Sequence, residues 1–294
     1  MHVLVLASQK GGSGKTTLSG HLAVEADLAG VGPVALIDTD PQGSLSHWWN
    51  ARKSATPHFA KVGLMELGQA LAQMKASGIR LAVIDTPPAI TGSISQVVAH
   101  ADLVAIPTRP SPHDLRAVGA TVEIAERHGK AVIFVVNAAT PRARITGEAA
   151  VALSQHGTVA PITLHHRVDF AASMVDGRTV GEVVPKSASA KEVRDLWLYI
   201  QERMARLTGD PTLLPDIKPV HFATEALTPL GDDRAALPAD DETGMEDISP
   251  SAPLPPLLPP ERRFTPERRA NLAPFGGPER RAHTFGRRAS DRPQ

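Results

Sequence analysis

The chain has 294 residues, and its 31 Lys and Arg are matched by 31 Asp and Glu, so the overall charge of zero points to no partner by itself. It has no cysteine, which excludes disulfides, thiolate zinc sites and iron–sulfur clusters held by cysteine. No apolar run approaches the ~20 residues of a membrane-spanning helix, and a strand pattern starts at residue 2, so no signal peptide and a cytoplasmic protein are expected.

The zero conceals three unlike regions. Residues 1–209 carry 20 basic and 17 acidic residues, residues 210–260 carry 2 and 10, and residues 261–294 carry 9 and 4. Of the 26 prolines, 15 lie after Gly209. Both shifts end the folded domain near Leu207, giving a domain over 1–208 and a disordered, Pro- and Arg-rich tail over 209–294. Within the domain, short apolar runs alternate with helical patterns. That reads as an α/β fold, a mainly parallel twisted sheet flanked by helices on both faces.

The first strand is predicted over 2–7 and the first helix over 15–29. Between and across them lies Gln9-Lys10-Gly11-Gly12-Ser13-Gly14-Lys15-Thr16-Thr17. This is a phosphate-binding loop with two lysines where the ordinary pattern has one. Its glycines allow positive φ and close approach, and successive N–H groups with the helix N-terminus form an anion nest. Lys15 is placed for the β- and γ-phosphates and the Thr16 hydroxyl for Mg²⁺.

A second strand over 33–38 leads into Leu36-Ile37-Asp38-Thr39-Asp40-Pro41-Gln42-Gly43-Ser44 and a helix over 43–52. Ligands of parallel α/β sheets bind at strand carboxyl ends. Asp40 is placed to orient the water that attacks a γ-phosphate, and Asp38 to support the Mg²⁺ shell. After a helix over 64–77, the strand over 81–85 gives Ile84-Asp85-Thr86-Pro87-Pro88, with Asp85 as the second carboxylate on the Mg²⁺ side.

A helix over 92–100 and a strand over 102–107 follow. The strand leaves through Pro107-Thr108-Arg109-Pro110-Ser111-Pro112, a rigid rim against which a purine can lie. Beyond a helix over 113–128, the strand over 131–137 ends in Asn137, whose amide suits an adenine edge. Helices over 146–155 and 188–206 and a weaker strand over 159–162 complete the domain. The last helix starts near Ser187 and Ser189 and places Val193, Leu196, Trp197, Ile200, Met204 and Leu207 at helical spacing. In the tail, Pro-Glu-Arg-Arg recurs at 260–263, 266–269 and 278–281, interleaved with Phe264, Phe275 and Phe285.

The two-lysine loop, Asp-x-Asp-Pro-Gln-Gly, Val-Ile-Asp-Thr-Pro-Pro, Ile-Pro-x-x-Pro-Ser-Pro and Val-Asn occur in the order found in ParA-type partition ATPases of the ParA/MinD group. The chain resembles that family over residues 1–206. The resemblance implies ATP and Mg²⁺ as cofactors and a homodimer enclosing two ATP molecules. Lys10 would reach the partner subunit's nucleotide. Lys15 would bind phosphate, Gly11, Gly12, Ser13 and Gly14 would wrap it, and Thr17 would touch the α-phosphate. Thr16 and Asp85 would serve the metal and Asp40 the water. Pro107 and Asn137 would border adenine.

The resemblance also implies ATP hydrolysis that is slow until a cargo-linked activator, a ParB-like or adaptor protein, completes the site. It implies nonspecific DNA binding through Arg167, Lys186, Lys191 and Arg194, and hence a nucleoid-associated protein that segregates or positions a plasmid, chromosome or protein cargo. No N-terminal helix-turn-helix is expected, because the loop starts at residue 9. A terminal membrane helix is not expected, given Pro266, Gly276, Gly277, Pro278 and Gly286. Two other readings are a MinD-like ATPase working at a membrane surface through its Arg- and Phe-containing tail, and a regulatory ATPase scaffold whose tail recruits a protein.

Overall fold

The computed structural model describes residues 1–88 and 91–214. The expected tail beyond residue 214, with its Pro-Glu-Arg-Arg units, lies outside the described residues.

Seven strands form one parallel sheet. In chain order they are β1 (His2–Leu6), β2 (Val34–Asp38), β3 (His58–Lys61), β4 (Leu81–Asp85), β5 (Leu103–Thr108), β6 (Ala131–Val136) and β7 (Thr158–Val159), in the spatial order β3-β2-β4-β1-β5-β6-β7. The helices are α1 (Lys15–Leu28), α2 (Ser44–Ala51), α3 (Leu67–Ala76), α4 (Thr91–Val98), α5 (Pro112–Arg127), α6 (Arg144–Ser154), α7 (Val168–Met174), α8 (Val180–Val183) and α9 (Ala188–Thr208).

The alternation of β1 shows how the sheet is covered. Leu4 and Leu6 join one apolar cluster with Leu18 and Leu22 of α1 and Leu196, Trp197 and Ile200 of α9. Val3 and Val5 join the other, with Leu71 of α3, Ile94 of α4, Val118 of α5 and Leu153 of α6. Side chains two apart on a strand share a face, so helices cover both faces, as expected. All five residues of β1, β2 and β4 are buried, which explains their unbroken apolar runs.

The β1–β4 and β2–β4 registers pair Leu6 and Asp38 with Asp85. Two carboxylates therefore end neighbouring strands at the same level.

Several elements differ from the sequence expectation. β3 was not expected. It is a four-residue edge strand whose side chains are at most half-buried, so it has no apolar signature. β7 holds two residues at 158–159 instead of four over 159–162. The helix expected over 64–77 divides into a 3-10 turn, Leu64–Glu66, and α3. α7 and α8, with seven and four residues, were not expected, being too short to show a helical period.

α9 follows its pattern. Ser187 caps it by accepting from the Ala190 N–H at 3.1 Å, and Val193, Leu196, Trp197, Ile200 and Met204 are buried. Leu207 is 44 % exposed and lies off the stripe. Packing continues past the cap residue Gly209 into a 3-10 turn, Pro211–Leu213, where Leu213 is 1 % exposed.

Candidate functional site

β1 delivers the chain at the centre of the sheet, between β4 and β5. The loop that follows turns through Gly12 at φ 74° and Gly14 at φ 102°, conformations that favour glycine. Gly14 is required twice, because a Cβ there would stand 2.1 Å from Nδ2 of Asn137. That Nδ2 donates to the Ser13 carbonyl at 2.7 Å, so the end of β6 clamps the loop directly. Ser13 is buried, and its hydroxyl has no hydrogen-bond partner among the described residues. α1 begins at Lys15 and presents its N-terminal N–H groups here.

Lys15 is 6 % exposed, and its Nζ donates to the Ser8 carbonyl at 3.0 Å. Burial pushes its pKa below the usual lysine value, while Asp85 and Asp40 oppose the shift. Asp85 accepts from the Thr16 hydroxyl at 2.7 Å and from Ser19 at 3.3 Å. Complete burial raises its pKa to about 7, against the lowering by Thr16 and Lys15. A divalent cation at this carboxylate would offset the burial that now favours its protonated form.

Asp38 is committed to its own turn. Its Oδ1 accepts from the Asp40 N–H at 3.0 Å, and its Oδ2 from the Ser46 N–H at 2.9 Å and the Ser46 hydroxyl at 2.6 Å. The residue expected beside the metal thus fastens the first turn of α2. Asp40 uses Oδ1 for the Gln42 N–H at 2.9 Å.

Two cavities meet at the loop. One, of about 440 Å³, is lined by Gly11, Gly12, Gly14, Lys15, Thr16, Thr17 and Asp40, together with Arg109. The structure thus brings most of the expected phosphate and metal residues to one place. The second, of about 220 Å³, is lined by Thr17, Leu18, His21, Asn137, Phe170 and again Gly14 and Arg109. Pro107 is not on either wall. It is buried inside β5 opposite Val135, and Arg109, two residues on, takes the exposed position. Lys10 is exposed.

The oxygens of Thr16, Asp85 and Asp40 are hard ligands that suit Mg²⁺. Among the described residues no group of three or more His, Cys, Asp or Glu makes a metal cage. A cation here needs phosphate oxygens to complete its shell, as Mg²⁺ bound with a nucleotide has.

His21 gave no signal in the sequence beyond its helical position. It is fully buried against Phe170, with ring centroids 5.3 Å apart. Its Nδ1 lies 2.8 Å from the Thr17 carbonyl, and its Nε2 accepts from the Val180 N–H at 3.3 Å. These partners fix one neutral tautomer, with the proton on Nδ1. Burial lowers its pKa to about 4 against the contrary pull of Thr17, Glu182 and Asp169.

The four residues expected at DNA divide differently. Arg167 forms a two-pronged ion pair with Glu192, at 2.6 and 2.7 Å, and lines the smaller cavity. Burial pushes the Glu192 pKa up, but Arg167 and His165 together hold it below the usual value. Lys191 pairs with Asp195 one turn on. Arg194 lies 3.5 Å from Glu25 and donates to the Pro185 carbonyl. Lys186 is exposed. Among the described residues, no helix is long and apolar enough to cross a membrane.

Comparison with known proteins agrees with this geometry. The model of the CobQ/CobB/MinD/ParA nucleotide-binding domain matches residues 4–180. The carboxysome-distribution protein A of Halothiobacillus neapolitanus is 29 % identical over 205 residues, which cover 64 % of this chain and 91 % of that protein. The structure of a Cyanothece McdA variant in complex with ATP superposes with a TM-score of 0.55 at 17 % identity, covering 71 % of this chain and 96 % of that one. The cell-division ATPase MinD of Pyrococcus furiosus gives 0.57 at 18 %, covering 69 % and 99 %.

Proposed function

The chain belongs to the CobQ/CobB/MinD/ParA nucleotide-binding domain family, and from that premise we propose that it is an ATP-driven partition or positioning ATPase. The observation that carries this reading is the joined pair of cavities around a two-lysine phosphate loop, with Lys15, Thr16 and Asp40 lining the wider one and Asp85 buried behind Thr16, from whose hydroxyl it accepts. ATP enters with its triphosphate in that cavity and its base in the narrower one. The Thr16 hydroxyl would hold Mg²⁺ and Asp85 would support it, and the cation would supply charge neutralisation for transfer of the γ-phosphoryl group. The ATP complex of the Cyanothece relative supports the choice of nucleotide.

Lys15 moves from the Ser8 carbonyl to the β- and γ-phosphates. Asp40 has one carboxylate oxygen fixed by Gln42 and turns the other towards the attacking water. Asp38 acts from beneath by holding the turn that carries Asp40. Water adds to the γ-phosphorus, ADP leaves, and inorganic phosphate is released.

Lys10, exposed on the loop, reaches a second copy's triphosphate, so ATP closes a homodimer and hydrolysis opens it. The dimer holds DNA without sequence preference, through Lys186 and through Lys191, Arg194 and Arg167 once they exchange their carboxylate partners for phosphates. A cargo-linked activator speeds hydrolysis and releases the DNA, and the cargo follows the gradient it makes.

Filter retention of a nonspecific duplex by the full chain tests this. Retention should require ATP and Mg²⁺, fall steeply with salt, and vanish in Lys15→Ala. Equal retention with and without nucleotide sinks the switch.

A further inference from the structure

Resting on the nucleotide reading above, we infer that Arg109 is a nucleotide-binding residue that holds the α-phosphate from the side opposite Thr17. The two cavities share three lining residues, Gly14, Thr17 and Arg109. A nucleoside triphosphate laid across them puts its base in one and its β- and γ-phosphates in the other. The group at the junction is the α-phosphate, the link between nucleoside and polyphosphate. Of the three shared residues, Arg109 alone is a cation.

Its placement fits that task. Nη2 of Arg109 stands 3.9 Å from the point where a side chain on Gly12 would begin, so the guanidinium overhangs the loop in space that glycine leaves open. The segment carrying it is stiff. Prolines at 107, 110 and 112 fix their own φ and restrict the residues before them. The Thr108 hydroxyl donates to the Ile106 carbonyl, and the Asn137 N–H donates to the Thr108 carbonyl at 2.9 Å. Two residues on, Ser111 caps α5 by accepting from the Asp114 N–H at 3.2 Å. The same Asn137 that clamps the loop thus also anchors the strand end next to Arg109.

The guanidinium itself is uncommitted. Arg167 and Arg52 each hold a carboxylate, whereas the Arg109 side chain has no hydrogen bond or ion pair among the described residues and is exposed. A cation on a stiff backbone segment, its donors unpaired among the described residues, is a ready anion partner, and the forked guanidinium matches two oxygens of one phosphate. Lys15 cannot serve that phosphate while it holds the β and γ groups. Arg109 therefore supplies a charge that ADP and ATP both meet, in the same subunit, which separates it from Lys10.

The test uses the full chain, ADP with Mg²⁺, and Arg109→Ala beside Arg109→Lys. Loss of one charged hydrogen-bonding group from an exposed site weakens ADP binding about ten-fold in Arg109→Ala, with partial recovery in Arg109→Lys. Thermal stability without nucleotide is unchanged, because no contact is lost. In phosphorus NMR of bound ADP, the α resonance moves in Arg109→Ala and the β resonance stays. Unchanged ADP affinity overturns the inference, and so does weakened affinity with an unmoved α resonance. Failure of the unaltered protein to bind ADP would instead sink the nucleotide reading beneath it.

Discussion

Asn137 ties together more of the site than its motif suggests. Its amide holds the Ser13 carbonyl while its backbone holds β5. Asn137→Ala should therefore loosen the loop at a stability cost of about 1 kcal/mol, and calorimetric titration should show weaker ADP binding. Gly14→Ala should be worse, since the methyl would enter the space of that amide at a φ of 102°. Strain of about 1–3 kcal/mol is expected, together with loss of measurable nucleotide binding.

His21 makes a separate prediction about pH. Its pKa in the folded chain is about 4, below the ordinary 6.5, so the unfolded chain takes up the proton first as pH falls. The stability it contributes is complete above about pH 6.5 and is lost towards pH 4, amounting to about 3 kcal/mol. Melting curves of His21→Gln should be flatter than those of the unaltered protein between those two pH values. A parallel slope would show that other groups govern the acid limb.

Between elements, the seam joining α2 to the α7–α8 segment is held largely by one arginine. Arg52, at the end of α2, donates to both oxygens of Glu182 at 2.9 and 2.8 Å and to the Gly177 carbonyl at 2.9 Å, with its guanidinium over Trp48. Gly177 is obligatory, because a Cβ there would lie 2.2 Å from the Arg52 nitrogen. Removing Arg52 strands a half-buried carboxylate, so Arg52→Ala should cost about 3 kcal/mol in urea denaturation. Glu182→Gln should recover part of that loss in the double variant.

None of this seam was legible in the sequence. Arg52 and Glu182 are 130 positions apart, and α8 has four residues. β3 escaped for a similar reason, since a half-exposed edge strand such as His58-Phe59-Ala60-Lys61 lacks an apolar run. The strands that were legible, β1, β2, β4, β5 and β6, are buried over most or all of their length and write their position in Val, Leu and Ile. The loop glycines and the strand-end carboxylates were legible because phosphate chemistry restricts those positions to few residue types. The Arg167–Glu192 pair was not, because a charge bound for an internal partner looks in sequence like one bound for solvent.

Across the molecule, the sheet separates two apolar clusters, and the one containing α9 is closed by the 3-10 turn beyond it. Leu213 packs there, the Gln201 amide donates to its carbonyl, and Asp210 and Thr212 reach back to His2 and Arg80. Ending the chain after Gly209 should therefore lower stability by about 2–4 kcal/mol relative to ending it after Leu214, as the loss of a buried leucine does elsewhere. Equal melting temperatures for the two truncations would show that the turn contributes nothing. The charge shift that suggested a boundary near Leu207 marks where the acidic stretch begins, and among the described residues the last buried leucine, Leu213, lies a few residues later.

Because all seven strands run the same way, the loop, Asp38, Asp85 and Asn137 crowd at one rim, and the opposite rim carries the 3-10 turn that meets His2 and Arg80 and the turn from α3 into β4. Ser77 is exposed in that turn. The chain has no native thiol, so Ser77→Cys would offer one attachment point for a dye, and its tumbling would report assembly from the rim away from the phosphate loop.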